Sequence, residues 1–308
     1  MEFQIVLNPA GASGKARLTW EEIEPVFRAR GVKYTVHTST ERFGIGAICC
    51  KLTEKGERVN IIVIGGDGTS NEAVNGIVNF ENTRIGFVPC GTGNDLQRDM
   101  NVTKNRKALV ERMLNGETKR VADIGELTIL DGKKPESRRF NISCDVGFGA
   151  ATCAFANNSK IKPVLNYLGI GRAIYLIEAI RVCFTSDANY VNISCDGRKF
   201  VFKKCLCAIA MNHQHEGGGF RFAPNADFTD GKLDLIIGNG LTKPEFLRML
   251  PNAYMGKHLK LRGIHELRGR EIRIKSRHPI WVHTDGEVKG MVRKVRIRVL
   301  PEKLNLLF

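Results

Sequence analysis

The sequence predicts an α/β domain built on a parallel sheet, followed by a mainly antiparallel β domain. Three observations carry this. The first third alternates short apolar runs with helix-like segments, the pattern of a sheet with helices on both faces. One run, Val59 to Ile64, is continuous and rich in β-branched residues, as in a strand buried on both sides. After about Asp123 the apolar pattern alternates with period two and helical segments become rare.

Phe3 to Leu7 reads as the first strand, followed by a Gly-rich loop and a helix from about Leu18 to Ala29. Val32 to His37 reads as a strand and Gly46 to Leu52 as a helix. Val59 to Ile64 leads through glycines into a helix over Ser70 to Val78, capped by Thr69 or Ser70, and Arg84 to Val88 gives a fourth strand. In such sheets ligands bind beyond the carboxyl ends of the strands. In the second part, Tyr190 to Ser194 and Phe200 to Phe202 form a hairpin across Asp196-Gly197. Strands are also expected at Leu233 to Ile237, Glu271 to Lys275, Trp281 to His283 and Met291 to Leu300, with one helix over about Lys243 to His258. The domains are expected at 1–123 and 124–299, with 300–308 packing back on the first.

The chain has 308 residues, 43% hydrophobic and 26% charged, which excludes a disordered or collagen-like chain. A net charge of +15 points to a polyanionic partner: nucleic acid, anionic lipid or a phosphorylated ligand. The nine cysteines include no Cys-x-x-Cys, and the start lacks a signal-peptide pattern, so a reduced, cytoplasmic protein is expected. Pro163 to Phe184 is apolar but interrupted by Arg172, Glu178 and Arg181, which fits a buried or interfacial helix.

The most informative stretch is Gly65-Gly66-Asp67-Gly68-Thr69-Ser70-Asn71, where a buried strand ends in glycines and a helix begins. Glycines let the backbone approach a phosphate, and a helix N-terminus favours anions. Gly91-Thr92-Gly93-Asn94-Asp95 repeats the arrangement after the next strand, and two such loops at one sheet edge would make one anion site. The Asn8 to Lys15 loop is a near miss to a P-loop, since Ala16 follows Lys15.

These two loops, the Asn8-Pro9 loop, Gly217-Gly218-Gly219, Pro224-Asn225-Ala226, Asp230-Gly231-Lys232-Leu233-Asp234 and Asp285-Gly286-Glu287 together resemble, in order, the diacylglycerol kinase catalytic domain of soluble bacterial lipid kinases. The resemblance implies ATP and Mg²⁺ between an α/β domain and a β-sandwich domain. It implies transfer of the γ-phosphoryl group to a lipid hydroxyl, diacylglycerol giving phosphatidic acid, at the inner membrane face. It places nucleotide contacts on Thr40, Gly65, Gly66, Asp67, Gly68, Thr69, Ser70, Asn71 and Thr92. It places a structural Mg²⁺ on the Asp230 carboxylate and the carbonyls of Asp227 and Lys232, although Asp230-Gly231 read by itself is a turn entering a strand. It makes Glu287 the proton acceptor, with Asp285 and Asp67 facing the metal. If that stretch is extended, Asp285 and Glu287 lie on one face.

An NAD kinase is the nearest alternative, and another lipid kinase acting on a sphingosine- or ceramide-type acceptor is a second. A nucleic-acid-binding protein accounts for the charge, but no recognition motif or aromatic stacking pattern supports it. A nucleotide-sensing regulator would need a broken carboxylate set, and this set is intact. Monomer and homodimer both fit. His213 to Glu216 reads as a polar loop. Arg273 to Arg277 and Arg293 to Arg298 suggest a basic sheet face, either solvated or in contact with lipid.

Overall fold

The computed structural model describes residues 2–9, 11, 14–91, 93–100, 102–115, 120–132, 134–159, 161 and 173–308. Strands β1 (Glu2–Leu7), β2 (Lys33–Thr38), β3 (Val59–Gly65) and β4 (Thr83–Pro89) pair in parallel in the order β2-β1-β3-β4. Helices α1 (Lys15–Ala29), α2 (Ile45–Thr53), α3 (Asp67–Gly76), α4 (Asp95–Asp99) and α5 (Arg106–Leu114) connect them or follow them.

β3 shows why the run Val59 to Ile64 has no polar side. Ile61 and Val63 enter one core with Ile48 and Val74 of α2 and α3, while Ile62 and Ile64 enter another with Phe27 and Leu109 of α1 and α5. Full burial of each such side chain contributes about 1.5–3 kcal/mol.

The antiparallel part holds β5 (Arg120–Ile129), β6 (Glu136–Phe140), β7 (Ser143–Gly147), β8 (Asn189–Cys195), β9 (Arg198–Met211), β10 (Leu233–Asn239), β11 (Ile264–Gly269), β12 (Glu271–Thr284) and β13 (Glu287–Leu306). Its helices are α6 (Phe148–Asn157), α7 (Ala173–Thr185) and α8 (Lys243–Tyr254). The two segments read separately as Glu271 to Lys275 and Trp281 to His283 are one strand, interrupted in register between Lys275 and Ile280. Residues 163–172 of the apolar stretch lie outside the described residues.

β13 joins the two parts. It pairs antiparallel with β12 and β5, and its end pairs in parallel with β4 at Asn305 and Leu306. All thirteen strands therefore lie in one continuous sheet. β5 and β13 run through positions 123 and 299, so both places fall inside strands.

α3 starts at Asp67, three residues before the expected Ser70. Gly66, in extended conformation, occupies the cap position without a side-chain bond. The Ser70 hydroxyl instead donates back to the Gly66 carbonyl at 3.2 Å inside the helix.

Candidate active site

The carboxyl ends of β3 and β4 carry the two glycine loops, which touch backbone to backbone. A Cβ on Gly66 would stand 3.2 Å from the Gly91 Cα, and one on Gly91 would stand 2.7 Å from the Gly66 Cα. Only glycine at both positions allows this approach, and it leaves the N-terminus of α3 open to an anion. Thr69 packs over Gly65, whose Cβ would collide with it. Thr40 lies exposed in the turn after β2, with its hydroxyl oxygen accepting from the Phe43 N–H at 3.2 Å. Thr92 lies outside the described residues.

Asp67 sits between the loops. Its two oxygens accept from the Asp95 and Leu96 N–H groups, each at 3.3 Å. Burial first, and then the neighbouring Asp95, push its carboxyl up to about 6. Asp95 accepts from the Gly218 N–H at 2.6 Å on one oxygen. Its other oxygen is buried without a hydrogen bond, with the Arg98 guanidinium 3.6 Å away. Burial, opposed by the Gly218 N–H and Arg98, raises the Asp95 carboxyl as well. Two neighbouring raised carboxylates, one with an oxygen that no hydrogen bond fills, form a donor set that fits a divalent cation completed by phosphate oxygens. Reading the sequence by itself did not single out Asp95, although it closes the second glycine motif.

Asn71 and Asp285 are drawn together for a different purpose. The Asp285 carboxylate accepts from Asn71 Nδ2 at 2.7 Å and from the N–H groups of Asn141, Ile142 and Ser143 at 2.8, 2.9 and 3.0 Å. Asn71 Oδ1 accepts from Arg138 at 2.7 Å, and its amide also donates to the Arg139 carbonyl at 3.1 Å. Four donors fill the acceptor directions of Asp285, so its expected metal-facing role is corrected to that of a joint. Asn71 and Ser70, expected at the nucleotide, are likewise turned into protein contacts.

The expected extended geometry of Asp285 to Glu287 is also corrected. Asp285 and Gly286 have φ of 48° and 83° and form the two-residue turn between β12 and β13, closed by the pair Thr284 and Glu287. The turn sends Asp285 inward and leaves Glu287 exposed. A Cβ on Gly68 would stand 3.9 Å from Glu287 Oε1, so Glu287 faces the N-terminus of α3.

Beneath the turn lies a buried polar set that the polar-loop reading of His213 to Glu216 did not anticipate. The Gly286 N–H donates to His283 Nδ1 at 3.1 Å, and His283 Nε2 lies 3.6 Å from Glu216. The Ser143 hydroxyl donates to Glu216. Burial, with Asp145 second, pushes Glu216 up to about 8, and burial holds His283 down to about 4. His215 contacts Asp99 of α4 through its backbone N–H at 2.9 Å and through its ring. The glycine loop 217–219 is thereby pinned to the α/β part.

At the turn where a metal is expected, the Asp230 carboxylate is already engaged by protein groups. One Asp230 oxygen accepts from the Lys232 N–H at 2.9 Å, and the other is paired with the Arg268 guanidinium. The Asp227 carbonyl accepts from the Asp230 N–H at 3.3 Å, and the Asp227 carboxylate from Thr229. The fixed cation already present is Arg268, so the loop from Asp227 to Lys232 is a closed turn held by an ion pair.

This architecture and site define a two-part nucleotide-dependent kinase. Residues 2–127 match the diacylglycerol kinase catalytic domain, and residues 143–308 match the YegS C-terminal NAD kinase beta sandwich-like domain. The chain belongs to the diacylglycerol kinase family and is an ATP-dependent lipid kinase, with ATP as co-substrate. It is 25% identical over 292 residues to the diacylglycerol kinase of Bacillus subtilis (strain 168), covering 94% of this chain and 90% of that one. It is 25% identical to the diacylglycerol kinase of Staphylococcus aureus (strain MRSA252) over 289 residues, covering 93% of this chain and 86% of that one. The fold is similar to a diacylglycerol kinase crystal structure from Bacillus anthracis str. Sterne (TM-score 0.74, 21% identity, 100% and 96% coverage). An ATP complex of an Archaeoglobus fulgidus NAD kinase is more distant (TM-score 0.54, 11% identity, 100% and 94% coverage).

Proposed function

We propose that the protein phosphorylates diacylglycerol to phosphatidic acid, using ATP and Mg²⁺ at the inner face of a membrane. Residues 1–123, with 300–308 returning to them, serve the nucleotide, and 124–299 serve the lipid. The observation that carries this reading is the meeting of the paired glycine loops, the Asp67–Asp95 carboxylates and Glu287 at one point of the cleft.

The N–H groups at the start of α3 and the loops Gly65 to Thr69 and Gly91 to Gly93 cradle phosphate. Asp67 and Asp95 would hold a divalent cation, which would neutralise charge on the transferring phosphoryl group. Glu287, which is exposed, orients the acceptor hydroxyl and takes its proton as the oxygen attacks the γ-phosphorus and the bond to the β–γ bridging oxygen breaks, releasing ADP. Asp285, through its four donors, and His283, through the Gly286 N–H, fix the turn that carries Glu287.

Labelled ATP, mixed micelles of diacylglycerol and a soluble NAD control test this reading. Label is expected in phosphatidic acid. Label in the NAD product alone would overturn it, and in parallel micelles of sphingosine or ceramide, label there but not with diacylglycerol would reassign the acceptor.

A further inference from the structure

Helix α7 carries an apolar stripe on its outer face as well as apolar residues on its inner one. Ile174, Glu178 and Val182, each four residues apart, form its inner stripe and are all buried, so the inward face includes a carboxylate. Leu176, Ile180 and Phe184, also four apart, form the outer stripe with Ile177 beside them, and are 57%, 44%, 57% and 45% exposed. A surface helix of a globular protein shows water the opposite face, and a contiguous apolar stripe left outside marks an interaction site.

Cations edge this stripe. Arg181 pairs with Glu178 at 3.4 Å and lies 5.0 Å from the centre of the Phe155 ring. Lys243, at the start of α8, donates to the Phe184 carbonyl at 2.5 Å and lies 5.8 Å from that ring. Partial burial first, then the nearby Cys153 and Glu287 groups, push the Tyr175 hydroxyl up.

We propose that the outer stripe of α7 lies in the surface of an anionic bilayer, with Leu176, Ile177, Ile180 and Phe184 at the acyl boundary and Arg181 and Lys243 among the headgroups. The thirteen residues of α7 span only about 20 Å, and among the described residues no helix is long and apolar enough to cross a membrane, so an in-plane helix is the geometry that fits. The chain's +15 charge complements an anionic surface. The basic strands β12 and β13 are a poorer candidate, because among the described residues Met291 is their one exposed large apolar side chain. This inference rests on the lipid-kinase reading for the choice of a bilayer over a protein partner.

Co-sedimentation of the full chain with vesicles of phosphatidylcholine, with and without phosphatidylglycerol, tests it. The wild type is expected to pellet with the anionic vesicles. Leu176→Gln/Ile180→Gln/Phe184→Gln should lose at least about tenfold in partitioning, the loss expected when apolar side chains no longer leave water. Because these side chains already face water, its circular dichroism, melting temperature and ATP affinity should match the wild type. Ile180→Gln alone, a milder change, should lose part of the same binding. Lys243→Gln should weaken binding to anionic vesicles only and flatten its salt dependence. Undiminished partitioning of both glutamine variants, or no vesicle binding by the wild type, would overturn the proposal. A wild-type dimer that becomes monomeric in the triple variant with vesicle binding intact would assign the stripe to self-association instead. No arm reads turnover, so a failed lipid-kinase reading would show separately, as no phosphorylation of a short-chain, soluble diacylglycerol.

Discussion

Asp67 and Asp285 both sit in Asp-Gly pairs at the end of a strand, yet the protein treats them in opposite ways. Asp67 accepts two long N–H bonds, faces Asp95, and is pushed up to about 6. Asp285 accepts four donors from two separate segments, Asn71 and the run Asn141 to Ser143. Burial raises the Asp285 carboxyl too, so what separates the pair is the number of donors each accepts. A motif therefore specifies that a carboxylate is present, while its hydrogen-bond count decides whether it can meet a ligand or only hold the structure.

The largest expected effect separates chemistry from scaffold at the turn itself. Glu287→Gln keeps size and fold, so turnover should fall by roughly 10²–10⁴ while ATP affinity survives. Turnover near the wild-type value between pH 6 and 9 would remove Glu287 as proton acceptor.

Next comes the pair of aspartates compared by melting. Asp285→Asn sets an amide against N–H donors in a buried place and should cost about 2–4 kcal/mol of stability. Asp67→Asn relieves a like charge, so its stability should change by less than about 1 kcal/mol while metal-dependent ATP binding is lost. Equal destabilisation by the two substitutions would erase the distinction.

Glu216 gives a pH-dependent version of the same contrast. Its carboxyl is raised from the ordinary 4.5 to about 8 in the fold, so the folded protein binds the extra proton across that interval. The slope of stability with pH follows protons bound unfolded minus protons bound folded, so this group lowers stability as pH rises from about 4.5 to about 8. Glu216→Gln removes the contribution, and its melting temperature relative to wild type should climb through that window, as calorimetry at several pH values would show. A constant difference would mean that Glu216 is already charged in the fold.

The smallest effect concerns Arg268. The wild-type melting temperature should be the same in Mg²⁺ and in chelator when ATP is absent. Arg268→Gln should cost about 1 kcal/mol, because the pair with Asp230 is partly exposed. A wild type that melts lower in chelator would restore the metal at Asp230.

The local features of this protein were legible in its sequence because each is written in consecutive residues. Val59 to Ile64 announces a strand with two apolar faces, and the structure divides it between two cores. Asp196-Gly197 announces a hairpin turn, and φ of 45° and 84° there confirm it. The resemblance carried by the ordered glycine and aspartate motifs gave the family. What consecutive residues do not encode is which distant groups compete for a side chain. Asn71 and Asp285 are 214 residues apart and satisfy each other. Arg268 reaches Asp230 from another strand, and the Gly218 N–H reaches Asp95 across the cleft. The helix α7 pattern shows the same limit, since apolar residues on every side say nothing of which side the core takes. Apolar burial and turn geometry are local preferences, whereas hydrogen-bond and ion-pair partners are chosen only when the chain closes on itself, and it was that closure that left Asp67 with two donors and gave Asp285 four.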